Sequence, residues 1–149
     1  LDAAERHLRG PLGWLRGIGG TPGIAFAQAQ LGYVAEERGD AAAALALHTE
    51  GLVAARATGD PRAVALALEG LAGARSLAGE HAPAARLLGT ADALRSAAGA
   101  PLPAAERGDV ERAAGRIRTA LGTATFTAEF ARGRTTSRTT SRTTTGGTP

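Results

Sequence analysis

"AQLGYVAEERGDAAAALALHTEGLVAARATGDP", residues Ala29 to Pro61, decides the fold. Two long apolar stretches each close on a glycine followed by an acid, at Gly39-Asp40 and Gly59-Asp60. Glycine just past a helix end takes the left-handed conformation without the cost a Cβ imposes. Aspartate next to it can accept a hydrogen bond from the first free amides of a new helix. Pro61 then stands at a first helical position, where its missing N–H costs nothing. The stretch predicts helix, tight turn, helix, tight turn, helix.

The same beat runs beyond the quoted segment. Glycines fall at Gly19, Gly39, Gly59, Gly79 and Gly99, twenty residues apart each time. Thr21-Pro22 offers a start signal like Asp60-Pro61, and Pro103 can open a later helix. Ile24, Ala27, Leu31, Val34 and Ala35 share one helical face. So do Val64, Leu68 and Leu71, and later Leu87, Leu88, Ala91 and Leu94. A shift of forty residues lays Leu31, Gly39, Leu47, Gly59 and Pro61 on Leu71, Gly79, Leu87, Gly99 and Pro101. One unit is therefore two helices, and short turns make them antiparallel neighbours. The expected fold is all-α, with hairpins of about forty residues stacked on one another, an arrangement whose usual use is an extended binding surface.

Composition agrees. Hydrophobic residues make up 44% of the 149, yet aromatics only 3%, so alanine and leucine must build the core. Alanine is the best helix former, and its small side chain lets helix axes approach closely. The chain has no cysteine, which rules out disulfides and thiolate metal sites. All 17 basic residues are arginine, and without lysine a Walker-type phosphate loop is excluded. The net charge is +3, but Arg132, Arg134, Arg138 and Arg142 lie in the last stretch with no acid after Glu129. The remainder is close to neutral, so charge does not argue for nucleic-acid binding by the body of the chain. No apolar run approaches a membrane span, and "LDAAERHLRG" at the start lacks the apolar core of a signal peptide. A piece of a longer cytoplasmic protein is expected.

Other features carry little chemistry. "GIGGTPG" at Gly17–Gly23 has no preceding strand, and Pro22 stands where a dinucleotide loop needs its third glycine, so it reads as an inter-helix turn. His7, His48 and His81 form no pair at ligand spacing; no metal site and no cofactor are expected. Glu36 and Glu37 are adjacent on a helix and cannot flank one substrate bond, so no catalytic residue is assigned. Trp14 is expected to pack the first helix. "RTTSRTTSRTTT" has almost no apolar content and reads as a disordered tail, although its Arg-x-x-Ser spacing suits a basic-directed kinase.

"LGYVAEERGDAAAALALHTEGL" resembles a tetratricopeptide repeat. Leu31-Gly32 looks like the family's Leu-Gly pair, Gly39-Asp40 sits at the turn, and Ala44 holds the small position where two helices cross. His48 and Gly51 depart from the family's aromatic and alanine. Leu71-Ala72, Gly79-Glu80, Ala84, Leu88 and Ala91 follow the same order in a second unit. A narrower resemblance runs through "ALEGLAG", "AARLLGTADALRSAAGAPLPAAER" and "LGTATFTAEFARGR", which look like the C-terminal repeat region of NTPase-linked actinobacterial LuxR-type and SARP-type transcriptional regulators.

The resemblance implies a right-handed solenoid. Residues 1–20 would be the second helix of a truncated preceding repeat, 21–60 and 61–100 two complete units, 101–134 capping helices and 135–149 the disordered tail. Within the cap, Phe126 and Phe130 would cover the exposed end of the stack. In this family the first helix of each unit lines a concave groove. Carried onto this sequence, the partner-binding residues would be Phe26, Tyr33, Glu36, Glu37, Glu69 and Ser76, with an acidic floor suited to a basic segment. The implied function is a non-catalytic interaction or scaffold region of a transcriptional regulator, with a protein or peptide in the groove and other domains of the parent chain as partners. The alternatives are a repeat region of a multidomain enzyme such as an adenylate cyclase, and weak nucleic-acid binding through the basic tail.

Overall fold

The computed structural model describes residues 1–17 and 21–143, with side chains at 1–3, 6–11 and 22–136. The described residues form an all-α fold of seven helices and no strand: α1 (Asp2–Gly17), α2 (Thr21–Glu37), α3 (Ala41–Thr58), α4 (Pro61–Leu77), α5 (His81–Ala98), α6 (Ala104–Leu121) and α7 (Thr123–Thr143). None is long and apolar enough to cross a membrane. The side chain of Trp14, the cap expected from Thr21 and the first glycine of the beat lie outside the described residues.

The turns follow the local chemistry. Gly39, Gly59, Gly79 and Gly99 all have positive φ, between 60° and 85°. Asp40 accepts a hydrogen bond from the Ala43 amide at 2.9 Å, and Asp60 one from the Arg62 amide at 2.9 Å. The turns before α3 and α4, three and two residues long, thus pair a left-handed glycine with a capping aspartate, whereas Glu80 and Pro103 begin α5 and α6 without a side-chain cap.

Such short turns fold each helix back on the last. His48 of α3 lies beside Gly32 of α2, and Gly51 beside Gln28, so α3 retraces α2. In the next pair Ala72 packs with Ala84, Ala85 and Leu88, while Glu69 meets Arg95. Ala44 and Ala84, the small residues expected at helix crossings, are completely buried. Ala44 packs with Ala35 and Ala74, which ties the first pair to the next. Helices α2, α4 and α6 are successive neighbours in space. Leu8 of α1 packs on Ala27 and Leu31 of α2.

The C-terminal part departs from the expected layout. A short last helix ending near Gly133 and a disordered tail from residue 135 were the expectation. Instead α7 continues through Thr143. No glycine or proline interrupts residues 134–143. The hydroxyls of Thr135 and Thr136 donate to the carbonyls of Ala131 and Arg132, at 3.0 and 3.1 Å. Moreover α7 packs chiefly on α5, not on α6. Two glycines permit this. A Cβ on Gly89 would collide with the Phe130 carbonyl, and one on Gly133 with the Arg86 carbonyl. The backbones touch, and Thr90 donates to the Gly133 carbonyl at 3.1 Å. Phe126 and Phe130 stack at 5.8 Å and turn inward onto Ala84, Leu88 and Ile117.

Ion pairs border this contact. Glu129 accepts from Arg86 and from Arg132, and Arg134 pairs with Asp92. The hydrogen bond from Arg86 holds the Glu129 carboxyl below the usual glutamate range. A carboxyl pKa lowered by folding contributes stability above its unfolded value, and that stability is lost as pH falls through the lowered folded value. Thermal melts from neutral to acid pH should therefore show native protein losing more stability than Glu129→Gln. Parallel curves would remove Glu129 from the acid response.

Candidate interaction face

The helical spacing of α2 and α4 brings the expected groove residues onto one side of the pair. Ala29 and Tyr33 of α2 pack with Leu66 of α4. One turn on, Glu36 of α2 faces Gly73 of α4, where a Cβ would strike its carboxylate. Glu69 and Ser76 lie on the same side of α4, because positions three, four and seven apart share a helical face. The face is not open along its length. Helix α6 lies over it, so Tyr33, Glu69 and Ser76 are only 7%, 4% and 2% exposed. Phe26, at 54%, and the side chain of Glu37, at 48%, remain accessible.

Beneath α6 runs a polar network. The His48 ring, fully buried, slots between Gly32 and Gly70, and a side chain on either glycine would overlap it. Its Nε2 lies 3.0 Å from Glu36 Oε1, and Tyr33 meets it edge-on at 5.1 Å. Across the seam, Arg116 of α6 donates to Ser76 Oγ at 2.6 Å and to the Gly73 carbonyl at 3.3 Å. Its guanidinium also lies 3.6 Å from Glu36. Arg112, one turn earlier, approaches Glu37 at 3.5 Å and pairs with Asp109 on its own helix. The Tyr33 hydroxyl is buried without a hydrogen-bond partner among the described residues. Burial, reinforced by nearby carboxylates led by Glu69, pushes the Tyr33 phenol far up, so it stays protonated.

A second charged cluster sits at the other end of the face. Arg95 of α5 grips Glu69 with two hydrogen bonds, of 2.6 and 2.7 Å, and donates a third to Glu106 of α6 at 3.0 Å. Burial pushes the Glu69 carboxyl up, while the guanidinium of Arg95 pulls it back down. Glu69 in turn raises Arg95.

Helix α6 buries less of itself than α4 does, although Ile117 is fully buried and Val110, Ala114 and Leu121 pack around it. Of its 18 residues only Ala113 and Ile117 are buried, whereas eleven of the 17 in α4 are. Cavities flank it. One of about 280 Å³ separates it from α2, lined by Tyr33, Glu36, Glu37, Asp109, Arg112 and Arg116. One of about 770 Å³ opens between α5, α6 and α7, with Leu88, Val110, Phe126 and Phe130 in its wall. A third, of about 470 Å³, lies where α2, α4 and α6 begin and is walled by Ala25, Phe26, Leu66, Pro101 and Pro103.

The resemblance put the α2 and α4 positions in an open groove and gave no role there to His48 and Arg95, which contact them, to Gly70, which admits the His48 ring, or to Arg112 and Arg116, which cover them. The two arginines, four apart on α6, were visible as a pair; nothing local says which helix they meet. No group of metal-ligating side chains is assembled among the described residues. Comparison with known proteins finds no matching family model, no matching curated protein and no matching solved structure.

Proposed function

We propose that this chain is a non-catalytic protein-interaction module, a tetratricopeptide-like array of helical hairpins whose α2–α4 face recognises an arginine-bearing helix. One observation carries the reading. The face already holds such a helix, α6, through Arg112 and Arg116 set against Glu37, Glu36 and Ser76. Recognition of a helix in a groove by acidic and apolar positions is a recurrent mode of protein binding. The forty-residue repeat, the left-handed glycines and the adjacency of α2, α4 and α6 support a stack of hairpins, and its right-handed sense rests on the resemblance. A place in a transcriptional regulator rests on the resemblance of its later segments to that family's repeat region.

The accessible part of the face lies around Phe26 and Glu37. An exposed aromatic beside an apolar cavity is the kind of side chain that anchors an interface. Phe26→Asp combined with Glu37→Gln should lower recovery of a bound protein from source-cell extract by at least about tenfold, the loss of one anchoring contact. The melting curve should stay within about 0.5 kcal/mol of native, as for exposed positions generally. Unchanged recovery would remove this face from the interaction.

A further inference from the structure

Helix α6 is bracketed by a direct contact between α5 and α7, to which it adds Ile117 against Leu88 and Phe126. Its neighbours in sequence, α5 and α7, are joined directly through Gly89 and Gly133, by the Thr90 bond to the Gly133 carbonyl and by the Glu129 and Asp92 ion pairs. The chain enters α6 through "GAPLP" at Gly99–Pro103 and leaves it at Gly122, whose φ is 78°. Helix α6 is thus an excursion between two clamped helices. Without α6 the Gly89–Gly133 contact, the Thr90 bond and these ion pairs would still join α5 to α7, while the place of Ile117 in the core would need another aliphatic side chain.

The seam is built for parting. It touches α2 through the side chains of Arg112 and Arg116, across a cavity of about 280 Å³. The cavity is a polar cleft open to solvent, rimmed by the exposed side chains of Glu37 and Arg112, so the contact between α6 and α2 is made through charged side chains and not through apolar packing. The buried Tyr33 hydroxyl at the cavity wall is left without a partner by α6. Departure of α6 would strand no charge. Arg95 loses Glu106 but keeps both bonds to Glu69. Glu36 loses Arg116 but keeps His48.

We propose that α6 is a cis occupant of the α2–α4 face and is exchanged for an amphipathic helix of a partner protein. That helix would carry two arginines four residues apart and an aliphatic residue beside the second, the pattern of Arg112, Arg116 and Ile117. The proposal rests on the interaction reading above and adds that the site is closed until α6 is displaced. The arginines select the acidic positions Glu36 and Glu37, and the aliphatic residue takes the place of Ile117 against Ala72, Ala84 and Leu88.

The test uses the full chain and a fluorescein-labelled peptide of residues 103–122. Arg112→Glu with Arg116→Glu in the chain sets like charges against Glu36 and Glu37 and frees the face. Fluorescence anisotropy should show the peptide binding this variant at least about tenfold more tightly than the native chain, where only the fraction with α6 displaced is competent. The same peptide carrying both reversals should not bind. Equal affinity for both chains, or no binding to a variant that still melts cooperatively, would overturn the exchange. Hydrogen exchange on the native chain supplies an independent arm. Amides 104–121 should exchange faster than those of α4 and α5, through an opening short of global unfolding. Exchange of α6 only together with α4 and α5, or loss of α4 and α5 helicity in the variant, would make α6 part of the core and also overturn the proposal. If exchange fails while Phe26 and Glu37 still govern partner recovery, the interaction reading stands and the latch falls.

Discussion

Glu69→Ala should cost about 3–5 kcal/mol, the penalty for leaving a buried charge without its partner. The expected drop in Tm is on the order of 10 °C for a chain of this size. Glu69 was expected from sequence to line an open groove, where its loss would weaken binding and spare stability. The structure reverses that expectation. Its carboxylate receives two hydrogen bonds from Arg95, which is itself 7% exposed. Without Glu69, only Glu106 of α6 remains to Arg95. The double replacement Glu69→Leu with Arg95→Met should recover most of the loss, because an apolar pair needs no charge partner. Urea unfolding of the two variants checks both statements. A single variant within about 0.5 kcal/mol of native would place Arg95 in water.

Gly89→Val should be similarly damaging, for a steric reason. The new Cβ would fall on the Phe130 carbonyl of α7, a backbone atom that can yield only if the helices separate. Overpacking of this kind costs about 1–3 kcal/mol and sometimes more. Separation would also break the Thr90 bond to Gly133 and the stacking of Phe126 and Phe130 on α5. Gly115→Ala supplies the opposite sign. A Cβ there meets nothing within 4 Å. Alanine in a helix interior is favoured over glycine by about 1 kcal/mol, so this variant should be more stable than native. Thermal melts of the pair decide whether α5 and α7 touch at Gly89. If both glycine variants behave alike, the close approach is absent.

Much of the fold was legible because its signals are local. Gly39, Gly59, Gly79 and Gly99, with Asp40, Asp60 and Pro61, terminate and start helices through their own backbone geometry and hydrogen bonds, whatever lies elsewhere in the chain. Ala44 and Ala84 were assigned to crossings by the resemblance, and only small residues allow such approach. Helical periodicity also puts Tyr33 and Glu36 on one face of α2 and Glu69 and Ser76 on one face of α4, positions that the resemblance assigned to an open groove. Their exposure was not legible. It depends on where α6 lies, and α6 is polar enough to fit a surface as well as a seam.

The extents of α2 to α5, the turns between them and the pairing of α2 with α3 and α4 with α5 are thus properties of the sequence by itself. Short turns leave consecutive helices little choice of neighbour. Tertiary structure alone decided the rest. Gly89 and Gly133, forty-four positions apart in the chain, become complementary only when α7 passes over α5. That contact sets α7 on one side of α5 and leaves α6 against α4 and α5, from where the side chains of Arg112 and Arg116 reach Glu37 and Glu36 of α2. Glycine in mid-helix has low local propensity for either outcome; its value is the space it leaves for a backbone that arrives from elsewhere.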